Sequence, residues 1–177
     1  MITIVMPTYK RNEFLEDITH PVLNVSKLDI VTELIILWHN INEEVPETII
    51  TNLKELGIYD KARIEICETN TLNNRFSIHD IIKTDCVYST DDDYITTDKS
   101  LQMCFDEWSK NTNRLVGIVP RFIGGSIYHG NSANRNIKNE YNCLLTGGLM
   151  FHKKFMMDYM SNDFVIEYVN KNFNCED

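Results

Sequence analysis

Short apolar runs recur along this chain with enough residues between the early ones to hold a helix, and this rhythm limits the fold more than any other feature. The runs occupy residues 2–6, 33–38, 63–67, 86–89 and 115–119. Parallel strands need crossovers of a dozen or more residues, usually helical, so the pattern predicts an α/β fold with a Rossmann-like, mostly parallel sheet and helices on both faces. Between the strands, residues 98–110 read as a helix, because Leu101, Cys104, Phe105 and Trp108 fall on one stripe and Thr97 or Asp98 can cap its start. Residues 47–56 and 153–160 carry fainter helical patterns. Residues 122–138 break the rhythm: Gly124, Gly125, Gly130 and several asparagines and serines predict a long polar loop. Such a loop is either a flexible connection or a binding loop. A length of 177 residues supports one domain, 1–177, with a sizeable core.

Charge narrows the partners. Seventeen basic against 26 acidic residues leave a net charge of −9 with no lysine or arginine run, which argues against a nucleic-acid backbone or an anionic membrane as partner. An anionic ligand would need a local cation. No stretch reaches the roughly 20 apolar residues of a membrane span, and residues 1–6 are too short and uncharged for a signal peptide, so the chain as given reads as soluble. The five cysteines, Cys67, Cys86, Cys104, Cys143 and Cys175, are scattered and odd in number, and the histidines are isolated. Neither set has metal-ligand spacing.

The chemistry concentrates at the ends of the strands. Asp91-Asp92-Asp93 follows the run at 86–89, where an open α/β sheet binds its ligands. Adjacent carboxylates repel one another and gain from a hard divalent ion, which can bridge carboxylate and phosphate oxygens. The alternative is a solvated acidic turn. An EF-hand loop fails, because counting from Asp91 the sixth position is Thr96 instead of glycine and the twelfth is Gln102 instead of glutamate. An aspartate-nucleophile phosphatase is a rival on the Asp91/Asp93 spacing, although Ile95 stands where that chemistry places a small hydroxylic residue. The other strand ends supply complementary groups. Thr8, Tyr9 and Arg11 follow the first run, His39 and Asn40 the second, and Asn70, Asn74 and Arg75 the third. An aromatic ring can stack on a base, amides can meet a base or ribose edge, and arginines can hold phosphate.

Seven segments, in order, resemble the exostosin and exostosin-like N-acetylhexosaminyltransferases over the whole length: Val5-Met6-Pro7-Thr8-Tyr9-Lys10-Arg11, Ile35-Ile36-Leu37-Trp38-His39-Asn40, Leu72-Asn73-Asn74-Arg75-Phe76, Ser89-Thr90-Asp91-Asp92-Asp93, Val116-Gly117-Ile118-Val119-Pro120-Arg121, Leu145-Thr146-Gly147-Gly148 with Phe151-His152-Lys153, and Asn174-Cys175-Glu176-Asp177. The resemblance implies a GT-A (nucleotide-diphospho-sugar transferase) fold, use of Mn²⁺ with Mg²⁺ as the alternative ion, and retaining transfer of N-acetylhexosamine from a UDP-sugar to a glycan acceptor of heparan type. It further implies Asp93 as the metal ligand and Asp91 and Asp92 beside the nucleotide and donor sugar. Thr8, Tyr9, Arg11, His39, Asn40, Asn70, Asn74 and Arg75 would form the nucleotide side, and Glu176 and Asp177 would be the catalytic carboxylates. His39 departs from the family's usual asparagine. The family domain also continues past the last segment into helices, a catalytic arginine and a cysteine partner for Cys175, so the expectation is a C-terminally truncated domain, either active or retaining only UDP-sugar and metal binding. Homo- or hetero-oligomerisation is left open, and by analogy the compartment is the lumen of the Golgi or endoplasmic reticulum.

Overall fold

A computed structural model describes residues 1–124, 127–130 and 141–173. Its main sheet has six strands in the order β3-β2-β1-β4-β9-β5, with β1 (Ile2–Thr8), β2 (Val31–Trp38), β3 (Ala62–Ile66), β4 (Cys86–Ser89), β5 (Val116–Gly117) and β9 (Leu149–His152). Strands β1 to β4 pair in parallel, while β9 runs antiparallel to both β4 and β5. This is the expected mostly parallel α/β sheet. A second sheet, in the order β7-β6-β8, pairs β6 (Pro120–Gly124) with β7 (Ile127–Gly130) and β8 (Cys143–Leu144).

The central strands are apolar on both sides because helices cover both faces. Ile4, Met6, Leu34 and Ile36 pack on one face with Leu15 of α1 (Asn12–Glu16), Leu23 of α2 (Pro21–Val25), Leu53 of α3 (Glu47–Glu55) and Leu101 of α5 (Asp98–Ser109). Val5, Ile35, Leu37 and Val87 pack on the other with Phe76 of α4 (Asn74–Ser77) and Met156 of α6 (Lys154–Met160). The helix expected at 98–110 forms and buries Leu101, Cys104 and Trp108; Thr97 caps it in a reciprocal pair with Ser100.

One expectation is corrected. The predicted polar loop at 122–138 holds strand β7 and most of β6 in its described part; these pair with each other from Arg121 to Gly130, so a backbone ladder stands where a loop was expected. Residues 163–172, to which the sequence reading assigns no element, form helix α7 (Asp163–Asn172), capped by Asn162; it buries Val169 and exposes Phe164 and Tyr168. Among the described residues the cysteines Cys67, Cys86 and Cys104 are free thiols. No described helix is long and apolar enough to cross a membrane.

Candidate functional site

The strand register lines up the polar residues at one edge of the sheet. Thr8 pairs with Trp38 and Trp38 with Ile66, so the segments starting at Tyr9, His39 and Cys67 leave the sheet side by side. Beside them Thr90, following β4, donates its backbone N–H to Val5 O at 3.0 Å. The acidic turn therefore lies at the carboxyl end of the sheet, near the loops that carry the expected nucleotide-side residues.

The three aspartates do not face one another as a cluster. Arg75 binds Asp91 Oδ1 at 2.6 Å, and the same guanidinium donates to Ser89 Oγ at 2.7 Å and to the Thr146 carbonyl at 3.2 Å. Arg75 is buried, and its Nε–H has no partner among the described residues. Asp92 turns inward: Thr8 Oγ1 donates to its Oδ2 at 2.8 Å and Arg11 meets its Oδ1 at 2.6 Å. Burial raises the Asp92 carboxyl above the ordinary range, while Thr8 and Arg11 pull against that shift. Asp93 points outward, 53% exposed, and pairs with the other arm of the Arg11 guanidinium at 2.5 Å. Two arginines thus offset the repulsion that the sequence alone leaves to a metal. Behind the turn, His20 Nε2 donates to the Asp92 carbonyl at 2.8 Å, a support that an isolated histidine in the sequence does not signal.

A cavity of about 410 Å³ opens beside this turn. Thr8, Tyr9, Arg11, His39, Asn70, Arg75 and Asp91 all line it. A smaller adjoining cavity of about 190 Å³ shares Tyr9, His39 and Asn70 and adds Asn40. Asn40 also acts as a brace, and Asn74, which lines neither of these cavities, acts as one too. Asn40 Oδ1 accepts from the backbone of Lys10 at 2.7 Å, and its amide donates to Asn12 Oδ1 at 2.8 Å; Asn74 donates to the Thr69 carbonyl at 2.6 Å and to His39 Nε2 at 3.2 Å. The His39 imidazole is pushed down to about 4, by burial first and the Arg75 charge second, so it is neutral near pH 7. With Nε2 accepting from Asn74, its proton sits on Nδ1.

Several lining residues were not singled out as site residues from the sequence. Pro7, Leu72 and Phe173 complete the larger cavity. Asp91 also borders a third space of about 250 Å³, together with Tyr94, Arg121, Thr146 and Gly147. A Cβ on Gly147 would lie 2.4 Å from Asp91 Oδ2, so only glycine leaves Asp91 room there. The Gly147-Gly148 pair was the available signal, since a close backbone approach selects glycine. Glu176 and Asp177, the expected catalytic pair, lie outside the described residues.

No group of three or more His, Cys, Asp or Glu side chains among the described residues is arranged to hold a metal ion. Hard divalent ions of the Mg²⁺ type, however, are commonly held by one or two carboxylates, water and substrate phosphates instead of an all-protein cage. The exposed carboxylate of Asp93 at the turn suits an ion that arrives with a diphosphate.

The Glycosyl transferase family 64 domain matches residues 2–177. Glucosamine inositolphosphorylceramide transferase 1 of Oryza sativa subsp. indica is 32% identical over 156 residues, covering 86% of this chain and 20% of that protein. The exostosin-like-3 homolog of Caenorhabditis elegans is 32% identical over 181 residues, covering 99% of this chain and 20% of that protein. The chain thus spans about a fifth of the length of these curated relatives. Two solved glycosyltransferases share the fold. Mannosyltransferase PcManGT from Pyrobaculum calidifontis, in complex with GDP-Man and Mn²⁺, superposes with a TM-score of 0.55 at 15% identity, covering 68% of this chain and 35% of that one. S. aureus TarS 1–349, in complex with UDP-GlcNAc, superposes with a TM-score of 0.57 at 12% identity, covering 89% and 46%.

Proposed function

The chain belongs to glycosyl transferase family 64, the exostosin-like glycosyltransferases, and on that premise we propose that it transfers N-acetylhexosamine from a UDP-sugar, with retention, to the hydroxyl of an anionic glycan or glycolipid. The observation that carries this reading is the acidic turn at the carboxyl end of the sheet, with Arg11 and Arg75 bound to it and a cavity of about 410 Å³ beside it.

In this reading the diphosphate occupies the larger cavity. Arg11 faces its charge, and the Nε–H of Arg75, without a partner among the described residues, is a donor that a phosphate oxygen would satisfy. Tyr9, 40% exposed at the rim, offers a ring for the base, and Asn70 and the Nδ1–H of His39 offer hydrogen-bonding edges. Asp93 would hold the divalent ion, Mn²⁺ or Mg²⁺, which neutralises charge on the departing diphosphate. Asp91 stands between the nucleotide cavity and the space lined by Arg121, where it can orient the donor sugar toward an acceptor. Arg121 suits an acceptor bearing a carboxylate or phosphate. That charge fits both a heparan-type uronic acid end and the inositol phosphate in the name of one relative. Glu176 and Asp177 are the proposed carboxylates that stabilise the sugar cation or orient the acceptor hydroxyl.

The test is UDP release from UDP-GlcNAc and UDP-GalNAc, with GDP-mannose as control, with and without Mn²⁺. Asp93→Asn should lower turnover by about 100-fold. Asp177→Asn should retain UDP binding while turnover is lost. UDP binding without release in the unsubstituted protein would leave a binding-only homologue; absence of any UDP binding would sink the donor assignment.

A further inference from the structure

Asn73 immediately precedes α4, within the segment that carries Asn74 and Arg75, but it lines none of the three cavities described above. Its side chain is 4% exposed and committed in three directions. Oδ1 accepts from Tyr159 OH of α6 at 2.7 Å, while Nδ2 donates to the Ile166 carbonyl at 3.1 Å and to Asn170 Oδ1 at 2.8 Å, both in α7. Asn170 Oδ1 also accepts from Thr71 Oγ1 at 2.5 Å.

Helix α4 has only four residues and cannot hold its own geometry, since a single turn fixes more backbone than its hydrogen bonds repay. Apolar packing supplies attraction: the Tyr159 ring stacks on Phe76 with centroids 4.1 Å apart. Stacking sets a distance but leaves the roll of a one-turn helix loose, whereas hydrogen bonds are directional. Roll matters here because the Arg75 guanidinium must reach Asp91, Ser89 and the Thr146 carbonyl together. The same bonds fasten α7, whose C-terminal cap Phe173 lies three residues beyond Asn170 and forms part of the nucleotide cavity wall.

We propose that Asn73, tied to Tyr159 and Asn170, is a positioning residue for the donor nucleotide: it sets the roll of α4, and so the placement of Asn74 and Arg75, while joining two walls of the cavity. This rests on the donor-binding reading above. It assigns no contact with the ligand to Asn73 itself, and it predicts a donor-side effect from residues that the ligand does not touch.

The experiment uses Tyr159→Phe, which keeps the ring stack and removes one hydrogen bond, Asn170→Leu, which removes the acceptor, and Asn170→Asp, which retains an acceptor oxygen for Thr71 and Asn73. UDP binding is measured by calorimetry well below each variant's melting midpoint, and the KM for donor and acceptor separately. Tyr159→Phe and Asn170→Leu should each weaken UDP binding about tenfold and raise the donor KM, with the acceptor KM unchanged. Asn170→Asp should return binding to within about twofold of the unsubstituted chain. Variants that melt earlier yet bind UDP as tightly as the unsubstituted chain would show a purely structural network and overturn the proposal. Failure of the unsubstituted chain to bind UDP would instead overturn the donor reading, and this proposal with it.

Discussion

Burial, aided by the Arg75 charge, pushes the His39 imidazole down to about 4, so between about pH 6.5 and 4 the unfolded chain takes up a proton that the folded chain refuses. Stability is therefore present above pH 6.5 and is lost on acidification, by roughly 3 kcal/mol over the whole window at 1.36 kcal/mol per pH unit. Asp92 acts in the opposite sense: its raised carboxyl holds a proton in the folded state that the unfolded state has released, so its contribution falls as pH rises above the ordinary carboxylate range. His39→Asn should accordingly flatten the fall in melting midpoint between pH 7 and pH 5, and an unchanged slope would refute the assignment. Gly147 gives a second residue-scale prediction. It has ordinary backbone angles, so alanine costs no strain there, but the added Cβ must displace Asp91. Gly147→Ala should lower kcat/KM for the donor about tenfold or more while shifting stability by only about 1 kcal/mol, read from steady-state kinetics and thermal melts. The sequence marked Asp91, Arg75 and His39 as chemistry-bearing, but not that Asp91 touches Gly147 or that His39 is neutral. Contacts across 35 to 56 positions make those facts, and no local pattern encodes them.

At the scale of elements, legibility followed burial. Helix α5 could be read directly, because its cap and its apolar stripe both sit at helical spacing and the stripe is what the sheet covers. Thr97→Ala breaks the reciprocal pair with Ser100, whose N–H donates to Thr97 Oγ1 at 3.2 Å. The expected cost is about 1 kcal/mol, a fall of roughly 2–4 °C in melting midpoint, with UDP binding unchanged. A loss of binding from this substitution would show that the cap also orders the turn at Asp93. Helix α7 shows the complementary case. Its apolar residues have helical spacing and Asn162 caps it, but Val169 is its one buried residue and its aromatics face solvent, so Asn170 and the Ile166 carbonyl share in attaching it. Strands β6 and β7 read as loop in the sequence because glycines and the polar residues around them mask a ladder whose partners are other backbone groups.

For the whole molecule, the arrangement of carboxylates predicts how ligands couple to folding. Since no metal cage of three or more His, Cys, Asp or Glu is found among the described residues, Mn²⁺ alone should scarcely move the melting midpoint. UDP with Mn²⁺, at a hundredfold excess over Kd, should add about 2.7 kcal/mol, or roughly 5–10 °C, and EDTA should remove most of the gain. An equal shift with Mn²⁺ alone would indicate a preformed protein site. The amino-acid sequence by itself determined the fold class, the strands that matter, the acidic turn at the end of β4 and the family, because apolar periodicity and short ordered segments are local properties that survive without the third dimension. Only the tertiary structure decided that Arg11 and Arg75 balance the aspartates, that Asp92 faces inward while Asp93 faces out, and that Asn73 is bonded to Tyr159, Ile166 and Asn170. Those outcomes depend on which distant side chains share a buried space, and charge and hydrogen-bond direction are settled only when the sheet has brought its strand ends together.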